Sequence, residues 1–360
     1  DGVQYANSCL ADCADVSWTP AVPNGSLGGF LPCTSNPPTP SWDCIGSTCI
    51  DPGTGNGQYS SLSACQANCS STFVSTNPEN KNVILEHFSG GIHNQFAPDG
   101  DIVAQTLENY NPGDVFVITI HEGSFAIPST GEPDFRTSWG SAIQNQSNLA
   151  GYPAGDVNRH QFSMTQNGGT SMSRVDWSAA SSQLLIQPSP VNVGLQSSVD
   201  MSTNTLTVDV QVYYTGSQTI TSNMLNIAVL QHNVEGPQSG GSQFNPSQVL
   251  PNGNYNHQDI LRHMMTGQWG DQITTITQGS LYSNTFTWTM PADINGVILD
   301  PTNISIVAFV AEDQQEILNG TEVYPTIYGI NPSWDCNGQG SCSDPGTGNG
   351  QYLTQSLCQQ

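Results

Sequence analysis

From residue 83 the chain carries apolar runs that do not alternate with polar residues. "VILEHF" (residues 83–88) and "DVFVITIHEG" (residues 114–123) read as strands of the buried, central parallel kind. Between them "APDGDIVAQTLENY" (residues 97–110) sets Ile102, Val103, Thr106 and Leu107 at helical spacing. Further helices are predicted over residues 138–148 and 173–187, on either side of "GYPAGDVNRHQF". From about Pro188 the period becomes two. "NTLTVDVQVYYTG" (residues 204–216) places Leu206, Val208, Val210 and Val212 on one face, and "MLNIAVLQHN", "NTFTWTMP" and "NISIVAFVAED" read as strands of the same alternating kind.

A strand, a helix, a second strand, later strands and a closing helix form the thioredoxin order, expected over residues 78–187. The alternating strands predict an antiparallel β-sandwich over residues 188–327. The fold class expected is thus multidomain α+β, with small disulfide-rich modules at both ends.

Those modules are visible as a repeat. "PSWDCIGSTCIDPGTGNGQYSSLSACQANC" near the start returns as "PSWDCNGQGSCSDPGTGNGQYLTQSLCQQ" at the other end, which predicts Cys-rich modules over residues 40–70 and 332–360. The ten cysteines lie in two clusters (Cys9, Cys13, Cys33, Cys44, Cys49, Cys65 and Cys69; then Cys336, Cys342 and Cys358), with none between. The pattern reads as a disulfide framework in an oxidising, extracellular compartment, because the spacing lacks the paired knuckles of a zinc site. Cys44, Cys49, Cys65 and Cys69 are expected to pair within their own module. The second copy holds three cysteines, so the chain is expected to be a stretch of a longer tandem polypeptide or to be completed by neighbouring subunits. The "DPGTGNGQY" loops offer oxygen ligands for Ca²⁺ but lack regular D-x-D-x-D spacing, and turn geometry accounts for their Gly and Pro. No cofactor is expected.

Charge narrows the partners. Five basic residues face 29 acidic ones, a net charge of −24, which repels nucleic acid and anionic membrane surfaces. No apolar run reaches the roughly 20 residues of a membrane-spanning helix. Charged residues make up only 9% of the chain, and such an uncharged polar surface suits a secreted, glycosylated protein. Glycan attachment is expected at Asn24, Asn145, Asn303 or Asn319, or on the Ser/Thr-rich linkers.

Two resemblances add to this. "DGVQYANSCLADC…C" (residues 1–33) resembles the second half of a Kazal-type module, Cys9, Cys13 and Cys33 matching its last three cysteines. The protease-binding half is missing from the match, so a structural spacer is expected rather than an inhibitor. "VILEHFSGGIHNQFAPDGDIVAQTLEN…VFVITIHEG" and "NYNHQDILRHMMTGQWGDQI" resemble the outer-membrane-protein Omp family of the "twenty-eight" type found in the Bacteroidetes. That resemblance spans residues 82–326 and implies a thioredoxin-like half, a β domain and association with the outer membrane and surface. It also places Pro153 in "GYPAG" where such domains keep a cis-proline.

Where that family's order implies a C-x-x-C active-site turn, this chain has His93-Asn94-Gln95-Phe96. A thiol oxidoreductase needs a thiolate and a resolving partner, and neither is present there. His93, His121, Glu122 and Asp99 were weighed as metal ligands near strand ends, but rim polarity is the better reading. His257 and His263 are six apart and do not share a helix face. No GxSxG, HExxH, P-loop or Rossmann pattern occurs. The reading is a non-enzymatic, extracellular structural or adhesive protein. It would be a segment of a repetitive surface chain or a filament subunit, partnered by its own copies. The alternative is a ligand- or glycan-binding surface receptor using the sandwich loops, which an aromatic-lined groove with convergent polar groups would favour.

Overall fold

The computed structural model describes residues 41–45, 48–50, 57–68, 72–329, 335–336 and 342–343, and it divides into two compact units, residues 1–71 and 72–360. The Kazal-like segment 1–33, Asn24 and the greater part of both acidic loops lie outside the described residues.

The first unit shows how a module almost without a core is held. Strands β1 (Asp43–Ile45) and β2 (Thr48–Ile50) form a hairpin with Cys44 opposite Cys49. Helix α1 (Leu62–Asn68) carries the fully buried Cys65, which is disulfide-bonded to Cys49 across 16 positions. A cross-link of that loop length contributes about 3 kcal/mol. Trp42 and Tyr59 exchange backbone hydrogen bonds at 2.8 Å and close the module.

The second unit begins with β3 (Val83–Phe88), α2 (Ala97–Tyr110), β4 (Val115–Ile120), α3 (Gly140–Ser147), β5 (Ala154–Val157), β6 (Ser171–Ser173) and α4 (Trp177–Leu184). Strands then dominate: β7 (Val191–Asp200), β8 (Thr205–Tyr214), β9 (Asn223–Gln231), β10 (Val234–Gly236), the one-turn α5 (Gly241–Phe244), β11 (Tyr255–His257) and β12 (Ile260–Met264). The last are β13 (Asp271–Ile273), β14 (Leu281–Thr289), β15 (Asp293–Ile294), β16 (Val297–Ile298), β17 (Ile304–Ala311), β18 (Ile317–Val323) and β19 (Thr326–Tyr328). Beyond them β20 (Asp335–Cys336) and β21 (Cys342–Ser343) pair with Cys336 opposite Cys342, as Cys44 faces Cys49 in the first copy. The chain is β-rich, with few helices.

Two sheets organise this unit. The larger runs β18-β17-β9-β12-β4-β3-β5-β6, with β13 also on β9, and the smaller β14-β8-β7-β19. Residues on either side of position 187 therefore share one sheet, joined where Ile260 of β12 pairs in parallel with Thr119 of β4. The large sheet curls until its far strand returns, Ile317 N donating to Asn158 O at 2.7 Å.

The curl corrects one expectation. β9 and β17 were read as one-faced alternating strands, yet β17 is buried at every position and β9 at all but one. Their alternate residues supply two different cores. Leu225, Ile227, Val229, Ile306, Ala308 and Val310 meet Leu206, Val208, Val210 and Val212 of the small sheet. Ala228, Leu230, Val307, Phe309 and Ala311 meet Ile84, Phe88, Ile118 and Ile120. A third core lies on the other face of β3 and β4, where Val83, Leu85, Val115 and Val117 pack on Ala104, Leu107, Trp177 and Leu184. Full burial of each such side chain stabilises by roughly 1.5–3 kcal/mol. β14 departs in the opposite sense: it is an edge strand, and most of its positions are exposed.

The linker before β3 is also not free. Phe73 N donates to Gln211 Oε1 at 2.8 Å, Asn192 Nδ2 donates to Ser75 O and Asn77 O, and Val74 is buried. Residues 73–77 thus lie across the outer face of β7 and β8, with Thr72 and Thr76 exposed.

Candidate functional site

The strand-to-helix turn between β3 and α2 holds His93 to Phe96, where the missing thiols would stand. The polar groups of this turn are met from within the protein. Asn94 Nδ2 donates to Ser89 O at 2.6 Å, and its Oδ1 accepts from Phe96 N at 3.2 Å. His93 N donates to Phe125 O at 3.1 Å, and its Nε2 lies 3.0 Å from Glu132 Oε2.

A later segment packs against the turn and leaves Gln95 and Phe96 exposed. Ser239 N donates to Ile92 O at 2.9 Å, Gln238 Nε2 donates to Asn94 O at 3.0 Å, and Phe244 of α5 packs on Phe96 with ring centroids 5.5 Å apart. Gly240 has φ +76°, and a Cβ there would stand on the Gln95 carbonyl oxygen. Only glycine allows so close an approach at that conformation. From the other side the Tyr152–Pro153 bond is cis, and Pro153 lies against Gly100 in the first turn of α2. The Tyr152 ring covers Gly90, where a Cβ would meet its Cγ at 2.8 Å, and its hydroxyl donates to Gln144 Oε1 at 2.5 Å.

The residues weighed as metal ligands are not brought together. Asp99 pairs with Arg174 at 2.5 Å, His93 faces Glu132, and His121 is buried against Phe135 and His257 with ring centroids 5.3 and 5.5 Å away. Among the described residues no group of three His, Cys, Asp or Glu could hold a metal ion. His257 and His263 also stand apart: His257 packs on Tyr255 and Phe135, whereas His263 lies between Trp139 and Trp288. Burial pushes His87 down to about 3, with Arg174 adding, and His257 down to about 4. His121 is held well below its ordinary value by burial and by its histidine neighbours. All three are neutral at pH 7. Burial pushes Asp101 up to about 7, and it accepts from Tyr255 Oη at 2.9 Å.

The glycan candidates differ in exposure. Asn319 is 3% exposed, with Nδ2 donating to Val191 O at 2.9 Å and Oδ1 accepting from Asn82 N at 2.8 Å. A sugar there would break both bonds and open the strand. Asn303 is half-buried, its Nδ2 donating to Asp300 Oδ2 at 2.7 Å. Asn145 on α3 is exposed. Of the cysteines, Cys49, Cys65 and Cys342 are disulfide-bonded. Cys9, Cys13, Cys33, Cys69 and Cys358 lie outside the described residues, as do the side chains of Cys44 and Cys336.

Sequence reasoning missed a buried ionic network. Arg159, 1% exposed, donates from Nε to Glu86 Oε2 at 2.7 Å and from Nη2 to Glu86 Oε1 at 2.6 Å. Its guanidinium also lies over Trp269 and Phe309. Burial, reinforced by Glu86, pushes Asp156 up to about 7, and Ser147 Oγ donates to it. The available signal was Glu86 itself, a carboxylate inside an otherwise apolar strand, which requires a cation.

A family model described as "Outer membrane protein Omp28" matches residues 140–326. Among solved structures, HBP35 of Porphyromonas gingivalis is similar at 17% identity, with 74% of this chain and 85% of that chain covered and a TM-score of 0.54. That likeness shows a shared fold. A domain of the outer membrane lipoprotein Omp28 from Porphyromonas gingivalis is also 17% identical, with 39% of this chain and 90% of that chain covered and a TM-score of 0.26. No curated protein matches the chain.

Proposed function

The chain belongs to the outer membrane protein Omp28 family and is associated with the outer membrane and cell surface, and from that premise we propose that it is a non-enzymatic structural or adhesive surface protein. In this reading residues 78–187 are a thioredoxin-like domain that kept its scaffold and lost its chemistry, and residues 188–327 are a β-sandwich grown onto its sheet. The parallel pairing of β3 with β4, with α2 between them in the chain, supports the first assignment. The shared core between the two sheets supports the second.

The observation that carries the reading is the turn at residues 93–96, which has no thiol and whose backbone is tied to residues 238–244. A redox partner must reach a nucleophile in line with its disulfide, and the turn offers no thiol nucleophile. Purified protein should show no turnover in an insulin disulfide-reduction assay. Turnover that disappears on substituting a residue between His93 and Phe96 would overturn the reading. The Cys-rich modules at both ends serve here as connectors between copies, carrying the chain into a fibril or tandem array. Negative-stain images of native material should show extended objects; isolated monomers would shift the reading to a surface receptor.

A further inference from the structure

Of the five basic side chains, four are paired with carboxylates: Lys81 with Glu316 at 2.8 Å, Arg136 with Asp134 at 2.8 Å, Arg159 with Glu86 at 2.6 Å and Arg174 with Asp99 at 2.5 Å. Arg262 is not. It is 2% exposed, its Nη2 donates only to the carbonyls of Ile294 and Val297 at 3.1 Å, and its Nε has no partner among the described residues. Asp134, already committed to Arg136, and Asp293 act on it only from farther away. A buried guanidinium without its anion is costly to hold, more so in a chain with 29 carboxylates to choose from.

The local fold places this group in the wall of a cavity. The register of β12 against β9 shifts between Leu261 and His263, so Arg262 is the extra residue of a bulge. A bulge re-aims side chains that would otherwise point to opposite faces, and Arg262 and His263 both line one cavity of about 450 Å³. That volume lies within the roughly 300–1,000 Å³ of small-molecule sites. Trp139 and Trp288 form its aromatic walls, with His263 stacked on Trp288 at 4.2 Å and 8°. Thr137, Ser138, Thr289 and Asn295 add hydroxyl and amide groups, and Thr137 Oγ1 is buried without a partner. Trp139 leads into α3, whose N-terminus no side chain caps, leaving amide donors beside the same wall. His263 is held below its usual value by burial, so the guanidinium is the cationic side chain lining the cavity.

We propose that this cavity binds a carboxylate-bearing sugar, a uronic- or sialic-acid residue of a glycan, with the carboxylate on Arg262, a ring face on the tryptophan wall and hydroxyls on Thr137, Ser138, Thr289 and Asn295. Aromatic walls and convergent hydroxyls select a pyranose, and the unneutralised guanidinium selects an acid. The proposal rests on the non-catalytic surface reading and supplies its ligand class. Its failure is distinguishable, because the insulin assay tests the turn at residues 93–96 and is silent about this cavity.

The test is calorimetric titration of the whole protein, with tryptophan fluorescence alongside. Probes are a glucuronic-acid-terminated oligosaccharide, sialyllactose, neutral lactose and a peptide with a free C-terminal carboxylate. At least one acidic sugar should bind at least about tenfold more tightly than lactose, as a charge-assisted hydrogen bond predicts. Arg262→Met should remove that preference. Thr289→Tyr, on the exposed rim and away from the core, should weaken binding by a similar factor even if the arginine variant does not fold. No sugar binding, equal affinity for lactose, preference for the peptide, or acidic binding unaffected by Thr289→Tyr would each overturn the proposal.

Discussion

The regions around Arg159 and Arg262 pose one problem and answer it differently. Both guanidiniums are almost wholly buried. Arg159 is clamped by Glu86 through two short bonds and roofed by aromatic rings, so every strong interaction it can make is made inside the fold. Arg262 meets only two carbonyls and faces a cavity. A cation whose partner is built in belongs to the scaffold, whereas a cation left unpaired where carboxylates are plentiful leaves a place for a ligand. The turn at residues 93–96 belongs with Arg159: its backbone groups and the Asn94 amide are met from within the protein.

The same substitution at both arginines is the sharpest way to break that contrast. Arg159→Met leaves Glu86 buried and unpaired and should cost about 3–5 kcal/mol, read as a fall in the denaturation midpoint in urea. A loss under about 1 kcal/mol would mean that the pair is not structural. Protonation should distinguish the regions next. Burial and Glu86 raise Asp156 to about 7, above the roughly 3.9 of an unfolded aspartate. Its contribution to stability is therefore fully present below about pH 4 and is lost as pH rises through about 7. Asp156→Asn should gain on the wild type across that window by more than about 1 kcal/mol, in urea melts taken at pH 4, 5.5, 7 and 8. A difference independent of pH would refute the raised value.

Gly240→Ala tests how firmly residues 238–244 hold the turn. Its positive φ and the Gln95 carbonyl should make alanine cost more than about 1 kcal/mol, with faster amide exchange at Ile92 to Phe96. Unchanged exchange there would show that residues 238–244 do not steady the turn. The smallest effect is expected at the cavity: Arg262→Met should change stability by no more than about 1 kcal/mol, since a buried unpaired charge is replaced by an apolar chain of similar length. A loss as large as that of Arg159→Met would abolish the comparison.

How far the chain could be read in advance varied by element. The helix at Ala97–Tyr110 and the strand at Val83–Phe88 fall at the predicted residues, because their spacing reports faces that local geometry alone defines. The strand at residues 114–123 shrank to Val115–Ile120, and the helix at 173–187 to Trp177–Leu184 behind a short 3-10 turn at Arg174–Asp176. Ends depend on what covers them. The doubly buried β9 and β17 were misread as one-faced, since a polar residue such as Asn226 or Ser305 can be buried once the curled sheet covers both faces.

By itself the sequence determined the local and compositional facts: no thiol between Cys69 and Cys336, an acidic and sparingly charged chain, a repeated cysteine module, and a likeness to an outer-membrane family. These depend on residue identity and short spacing, which folding does not alter. Tertiary structure decided that residues on either side of position 187 share one sheet, that Asn319 is buried, and that Gln238 and Gly240 pack against His93–Phe96. It also decided which arginine is satisfied. Arg159 meets Glu86 across 73 positions, while Arg262 lines a cavity with Trp139 and Trp288 and has no carboxylate bonded to it. Pairing and vacancy are properties of distance in space, and position along the chain does not encode them.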